Sequence, residues 1–97
     1  MLKWEEVDKD FVCIYEDFIF RLQMTQVGIY GSGSCYSLQC RKKNESKFNY
    51  LGYSFWTKDD GSSYNNLQHK SVDNKLWEDN SSIILRTNQI LERLGFL

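Results

Sequence analysis

The sequence predicts an α+β fold: an antiparallel sheet of about four to five strands, covered on one face by a C-terminal helix. Three patterns carry that expectation. Residues from Phe18 to Met24 alternate between apolar and polar, the period of a strand with one buried face. A second alternating run from Cys35 to Arg41 follows a glycine- and serine-rich break at Gly31-Ser32-Gly33-Ser34. Near the end, Ile83, Ile84, Thr87, Ile90, Leu91 and Leu94 fall within a stripe of about 120° on a helical wheel. Strands first and a helix last give layered α+β architecture, and 97 residues make one domain, 1–97.

Taken in order, Leu2 to Val7 reads as an edge strand or a helical turn around Trp4. Asp8-Lys9-Asp10 is a turn, and Phe11 to Tyr15 is a β-branched and aromatic strand. Glu16-Asp17 permits a tight hairpin, although neither residue is the glycine such turns favour. In the long hairpin that follows, Phe18, Phe20, Leu22 and Met24 share a side with Tyr36, Leu38 and Cys40. Pairing Tyr30 with Cys35 would put Leu22 opposite Lys43 and mix the two sides. A bulge between Thr25 and Gly28 restores them, with Met24 opposite Cys40; a three-residue loop without a bulge is the alternative. Lys42 to Lys47 is a charged turn. Phe48 to Trp56 is the next strand, with Phe48, Tyr50 and Trp56 on one face and Leu51, Tyr53 and Phe55 on the other. Lys58 to Lys70 carries no pattern and reads as a loop. Val72, Leu76 and Trp77 extend the helical stripe, Asp79 to Ser82 break it or cap it, and Gly95 ends it, with Phe96 able to fold back on Leu91.

Composition excludes some functions. Three Trp, six Tyr and six Phe argue against disorder. A net charge of −1 supplies no field for DNA or an anionic membrane. No apolar run approaches the roughly 20 residues of a membrane span. The segment Met1-Leu2-Lys3-Trp4-Glu5-Glu6 lacks the apolar core of a signal peptide. Three cysteines without an export signal read as reduced thiols in a cytoplasmic setting. Cys35 and Cys40 point to opposite sheet faces and should not bridge.

Motifs for chemistry are weak. Gly31-Ser32-Gly33-Ser34 joins strand to strand, whereas a phosphate loop joins strand to helix. Asp59-Asp60-Gly61 lacks the remaining ligands of a calcium loop. Cys13, Cys35, Cys40 and the single His69 lack the paired spacings of a zinc site. No base stands beside a candidate nucleophile, so no catalytic residue, metal or cofactor is assigned and the chain reads as a non-enzyme. The least ordinary feature is the polar sheet face. There Arg21, Gln23, Gln39 and Arg41 would lie beside Tyr50 and Trp56, a set able to stack rings and hold anions. Two guanidiniums on one surface call for an anion or carboxylate between them.

The expected function is therefore a small protein-interaction module, an inhibitor or accessory factor of a phage or mobile genetic element. A small-molecule or nucleotide-binding protein using the same face or an oligomer cleft is the alternative. The expected partners are another protein and a second copy of the chain, in a homodimer or higher oligomer, with a nucleotide-like molecule as the other ligand. Nucleic acid is disfavoured by the net charge.

Overall fold

The computed structural model describes residues 2–27, 33–58 and 80–97. Five strands, β1 (Glu5–Val7), β2 (Asp10–Tyr15), β3 (Phe18–Val27), β4 (Gly33–Lys42) and β5 (Asn49–Lys58), form one antiparallel sheet in the order β1-β2-β3-β4-β5. A helix, α1 (Asn80–Arg93), closes one face. The α+β expectation holds, and Leu2 to Val7 resolves into a short edge strand preceded by Trp4.

Each of the first two hairpins turns in two residues, since Val7 pairs with Asp10 and Tyr15 with Phe18. Turns this tight need positive φ, and Asp8 (57°) and Glu16 (53°) supply it without glycine. The β3–β4 ladder runs without interruption from Phe18↔Lys42 to Val27↔Gly33. This corrects two expectations. No bulge lies between Thr25 and Val27, and Met24 faces Tyr36 instead of Cys40. Gly33 and Ser34 belong to the strand, which places the connection at residues 28–32. The irregularity sits instead between β4 and β5. There Ser37 pairs with Ser54 but Gln39 pairs with Tyr50, so three residues of β5 stand against Leu38 alone. Gly52, at φ 91°, is in the middle of that excursion. Two extra residues preserve the alternation, so Leu51, Tyr53 and Phe55 stay on the core side.

The core lies between the sheet and α1. Cys13, Phe20, Leu22, Tyr36, Leu38, Cys40 and Phe55 meet Ile83, Ile90 and Leu91 there. Thr87 is fully buried in the same stripe, and its Oγ1 donates to the Ile83 carbonyl at 2.8 Å, so the hydroxyl is satisfied within the helix. Leu94, expected in the stripe, is 44% exposed. It lies past the helix end, where the chain turns away. The terminus is a Schellman ending: Phe96 N–H donates to Leu91 O (3.0 Å), Gly95 N–H donates to Glu92 O (3.1 Å), and Gly95 holds φ 92°. This reversal sets the Phe96 ring edge-on against Phe18 and Phe20, both at 5.1 Å. At the opposite flank Trp4 Nε1 donates to Asn88 Oδ1 at 2.8 Å, tying the N-terminal segment to the helix.

His69, Asp59-Asp60-Gly61, Val72, Leu76, Trp77 and the loop after Lys58 lie outside the described residues. Among the described residues no helix is long and apolar enough to cross a membrane.

Candidate functional site

The sheet face turned away from α1 carries the side chains singled out from sequence. Strand register arranges them in rows. Glu5, Val12, Arg21, Gln39 and Tyr50 are successive partners across all five strands. Ile14, Ile19 and Arg41 form the next row. Successive cross-strand partners share a face, so each row is a line of neighbours.

Arg21, at the centre of β3, donates from Nε (2.9 Å) and Nη2 to Gln39 Oε1. Gln39 turns its amide round and donates from Nε2 to Gln23 Oε1 at 2.7 Å. The chain of bonds fixes both amides and points the guanidinium across β4. There Arg21 Cζ stands 4.0 Å above the centre of the Phe48 ring. Arg41 Cζ approaches the same ring at 5.2 Å. Such contacts contribute about 0.5–1 kcal/mol each at exposed sites.

Phe48 is the residue that sequence reasoning missed. It immediately precedes β5 and is half-buried. The available signal was its parity with Tyr50 and Trp56, on the face that already carried both arginines. Both guanidiniums approach this one ring. Arg41 has a further task. Its Nη1 donates to the carbonyls of Lys42 (3.2 Å), Lys43 (3.3 Å) and Glu45. Lys42 N–H in turn donates to Glu45 Oε1 at 3.1 Å. Arg41 is thus the internal brace of the β4–β5 turn.

Tyr50 is 57% exposed, with its hydroxyl 2.8 Å from Ser54 Oγ. Trp56 pairs with Cys35, beyond the Gly52 excursion, and so lies further along the sheet than the Arg21 cluster. The structure therefore joins Arg21, Gln23, Gln39 and Arg41 through hydrogen bonds and the Phe48 ring. It sets Tyr50 at the end of their row and Trp56 apart.

Cys13 and Cys40 are buried on the core side, whereas Cys35 is half-buried on the opposite side. Burial pushes the Cys13 thiol up, partly offset by a backbone hydrogen bond from Lys3. Burial, helped by the Glu45 charge, raises Cys40 as well. Both thiols are poor nucleophiles as a result. Among the described residues no cluster of three or more His, Cys, Asp or Glu could hold a metal. A cavity of about 530 Å³ lies at the end of the sheet between the two turns, lined by Asp17, Phe18, Lys42, Lys43 and Asn44. It is separate from the Arg–aromatic face.

No protein family, curated protein or solved structure matches this chain.

Proposed function

We propose that this chain is a small non-enzymatic interaction module that docks another protein on the face formed by Arg21, Gln23, Gln39, Phe48 and Tyr50, acting as an inhibitor or accessory factor. One observation carries the reading: a row of amide, guanidinium and ring planes is locked in place by its own hydrogen bonds while remaining at the surface. Side chains already held in position lose little freedom on binding. Arginine and tyrosine are also enriched among residues that dominate protein interfaces. Most of its guanidinium donors are already bonded within the chain, which suits an extended protein surface better than a small anion.

The test is binding to the partner that co-purifies from the native host, once identified by mass spectrometry. Tyr50→Ala, at an exposed position, should weaken that complex about tenfold or more, the range of a hot-spot residue, with an unchanged melting midpoint; Gln39→Ala should weaken it at least as much while also losing about 1 kcal/mol of stability with its bonds to Arg21 and Gln23. A protein released with a bound nucleobase chromophore, and no protein partner sensitive to these changes, would overturn the reading in favour of the nucleotide-binding alternative.

A further inference from the structure

We infer that the partner of this face is a second copy of the same chain, packed sheet against sheet about a two-fold axis that runs along the strands between β2 and β3. The inference rests on the reading of the face as a protein-docking surface and names what docks on its β1 to β4 part, leaving Phe48 and Tyr50 at the rim.

The argument begins with an apolar step that the fold leaves uncovered. Ile14 is 62% exposed and Val7 50% exposed, and Val12 and Ile19 beside them are half-buried. Ile14 and Ile19 are direct cross-strand partners, so they form one ridge. Charge changes sign from one side of the sheet to the other, across the β2–β3 seam that the ridge bridges. Glu5 and Asp10 lie on the β1–β2 side, while Arg21 and Arg41 lie on the β3–β4 side. A face with an acidic half and a basic half is self-complementary only under an operator that exchanges the halves.

The register identifies that operator. A two-fold between β2 and β3 lays β2 over β3 and β1 over β4 of the second copy, without shifting any row. Ile14 then stacks on the second copy's Ile19, and its own Ile19 on the other Ile14. Val12 covers the aliphatic stem of Arg21. Glu5 arrives over Gln39, where the Arg21 guanidinium is held. Arg21 Nη1 makes no hydrogen bond among the described residues and is available to a carboxylate there. Asp10 arrives over Gln23; its Oδ1 already accepts from Met24 N–H at 2.9 Å, which leaves Oδ2 for the Gln23 amide. Sheets stacked in this way stand about 10 Å apart, a gap that an extended Glu and Arg span together. The isologous arrangement makes every contact twice. A net charge of only −1 per chain opposes the approach weakly.

The interface is small. Four strands about 4.8 Å apart, each covered over roughly six residues of 3.3 Å, present a plane of about 400 Å². A standard interface buries about 800 Å² per partner, so the association is weak and is seen at hundreds of micromolar.

Sedimentation equilibrium of the full chain from about 10 µM to 1 mM, a range spanning weak association, tests this. The expected result is a monomer–dimer equilibrium. Ile14→Asp and Glu5→Arg, both at exposed positions, should raise the dissociation constant at least tenfold while leaving the melting midpoint unchanged. Arg21→Glu should raise it as far, with a lower melting midpoint because the bonds to Gln39 and the Phe48 contact go, and Glu5→Arg with Arg21→Glu should recover to within threefold of wild type, because the swapped charges again face each other. If Arg21→Glu does not fold, the two exposed variants decide. A monomer at the highest concentration, or a dimer indifferent to Ile14→Asp, overturns the inference. A foreign partner still lost on Tyr50→Ala would then leave the docking reading standing with a different occupant.

Discussion

Removing the Phe96 ring tests whether the chain's last residues hold the helix to the sheet. Phe96 reaches the core only because the Schellman ending turns the backbone at Gly95. Its ring meets Phe18 and Phe20 edge-on, each at 5.1 Å. Phe→Ala at a fully buried position costs about 3–5 kcal/mol. Phe96 is half-buried, which scales the cost to about 2 kcal/mol. The two edge contacts, at about 0.5–1.5 kcal/mol each beyond area burial, bring it to about 3 kcal/mol. For a domain of this size each kcal/mol lowers the melting midpoint by roughly 4–8 °C, so Phe96→Ala should melt at least about 10 °C below wild type. Urea unfolding followed by tryptophan fluorescence gives the free energy directly. Leu94→Ala is the matched control, since Leu94 is 44% exposed and near in sequence; it should change stability by less than about 0.5 kcal/mol. If the two variants prove equally stable, the ring contributes nothing and the helix is held by Ile83, Ile90 and Leu91 alone.

Other outcomes follow from local geometry. Gly95→Ala should cost about 1 kcal/mol, read from a urea midpoint, and purely through backbone conformation, because a Cβ there meets nothing within 4 Å. Glu16→Gly should stabilise the fold by about 0.5 kcal/mol, read from the urea midpoint, since relief of the 53° φ outweighs the entropy that glycine adds to the unfolded chain. Stability should fall as pH rises above the ordinary thiol range, because the raised folded-state pKa of Cys13 and Cys40 lets the unfolded chain ionise first. Urea titrations across that range should show a shallower fall for Cys13→Ala than for wild type. Trp4→Phe should lose about 1 kcal/mol in the same assay with the bond to Asn88.

Periodicity made the faces legible but not the register. Alternation reports position modulo two. Pairing Met24 with Cys40, as the sequence suggests, or with Tyr36, as observed, puts the same residues on the same face. The turn therefore sits about two residues earlier than expected, at 28–32 and not at Gly31 to Ser34, at nearly the same length. The helix stripe was legible through Leu91, and its limit at Leu94 was not, because the wheel continues past the point where Gly95 turns the chain. In the candidate site, Arg21, Gln23 and Gln39 followed from alternation along two strands. Phe48 did not, although its parity put it on the same face, because its role depends on two arginines of β3 and β4 converging on it. The bracing role of Arg41 was equally hidden, because carbonyls as acceptors leave no trace in side-chain pattern.

The strand order has a consequence for how the chain is made. Every strand pairs only with its neighbours in sequence, so each hairpin can close as soon as its second arm leaves the ribosome, with little loop to fix. Among the described residues the sheet's apolar side has no such early partner. Phe20, Leu22 and Leu38 wait for Ile83, Ile90 and Leu91, and the ring that seats against Phe18 and Phe20 comes at residue 96. Synthesis halted anywhere between β5 and α1 therefore releases a paired but greasy sheet, the kind of surface that chaperones and proteases engage.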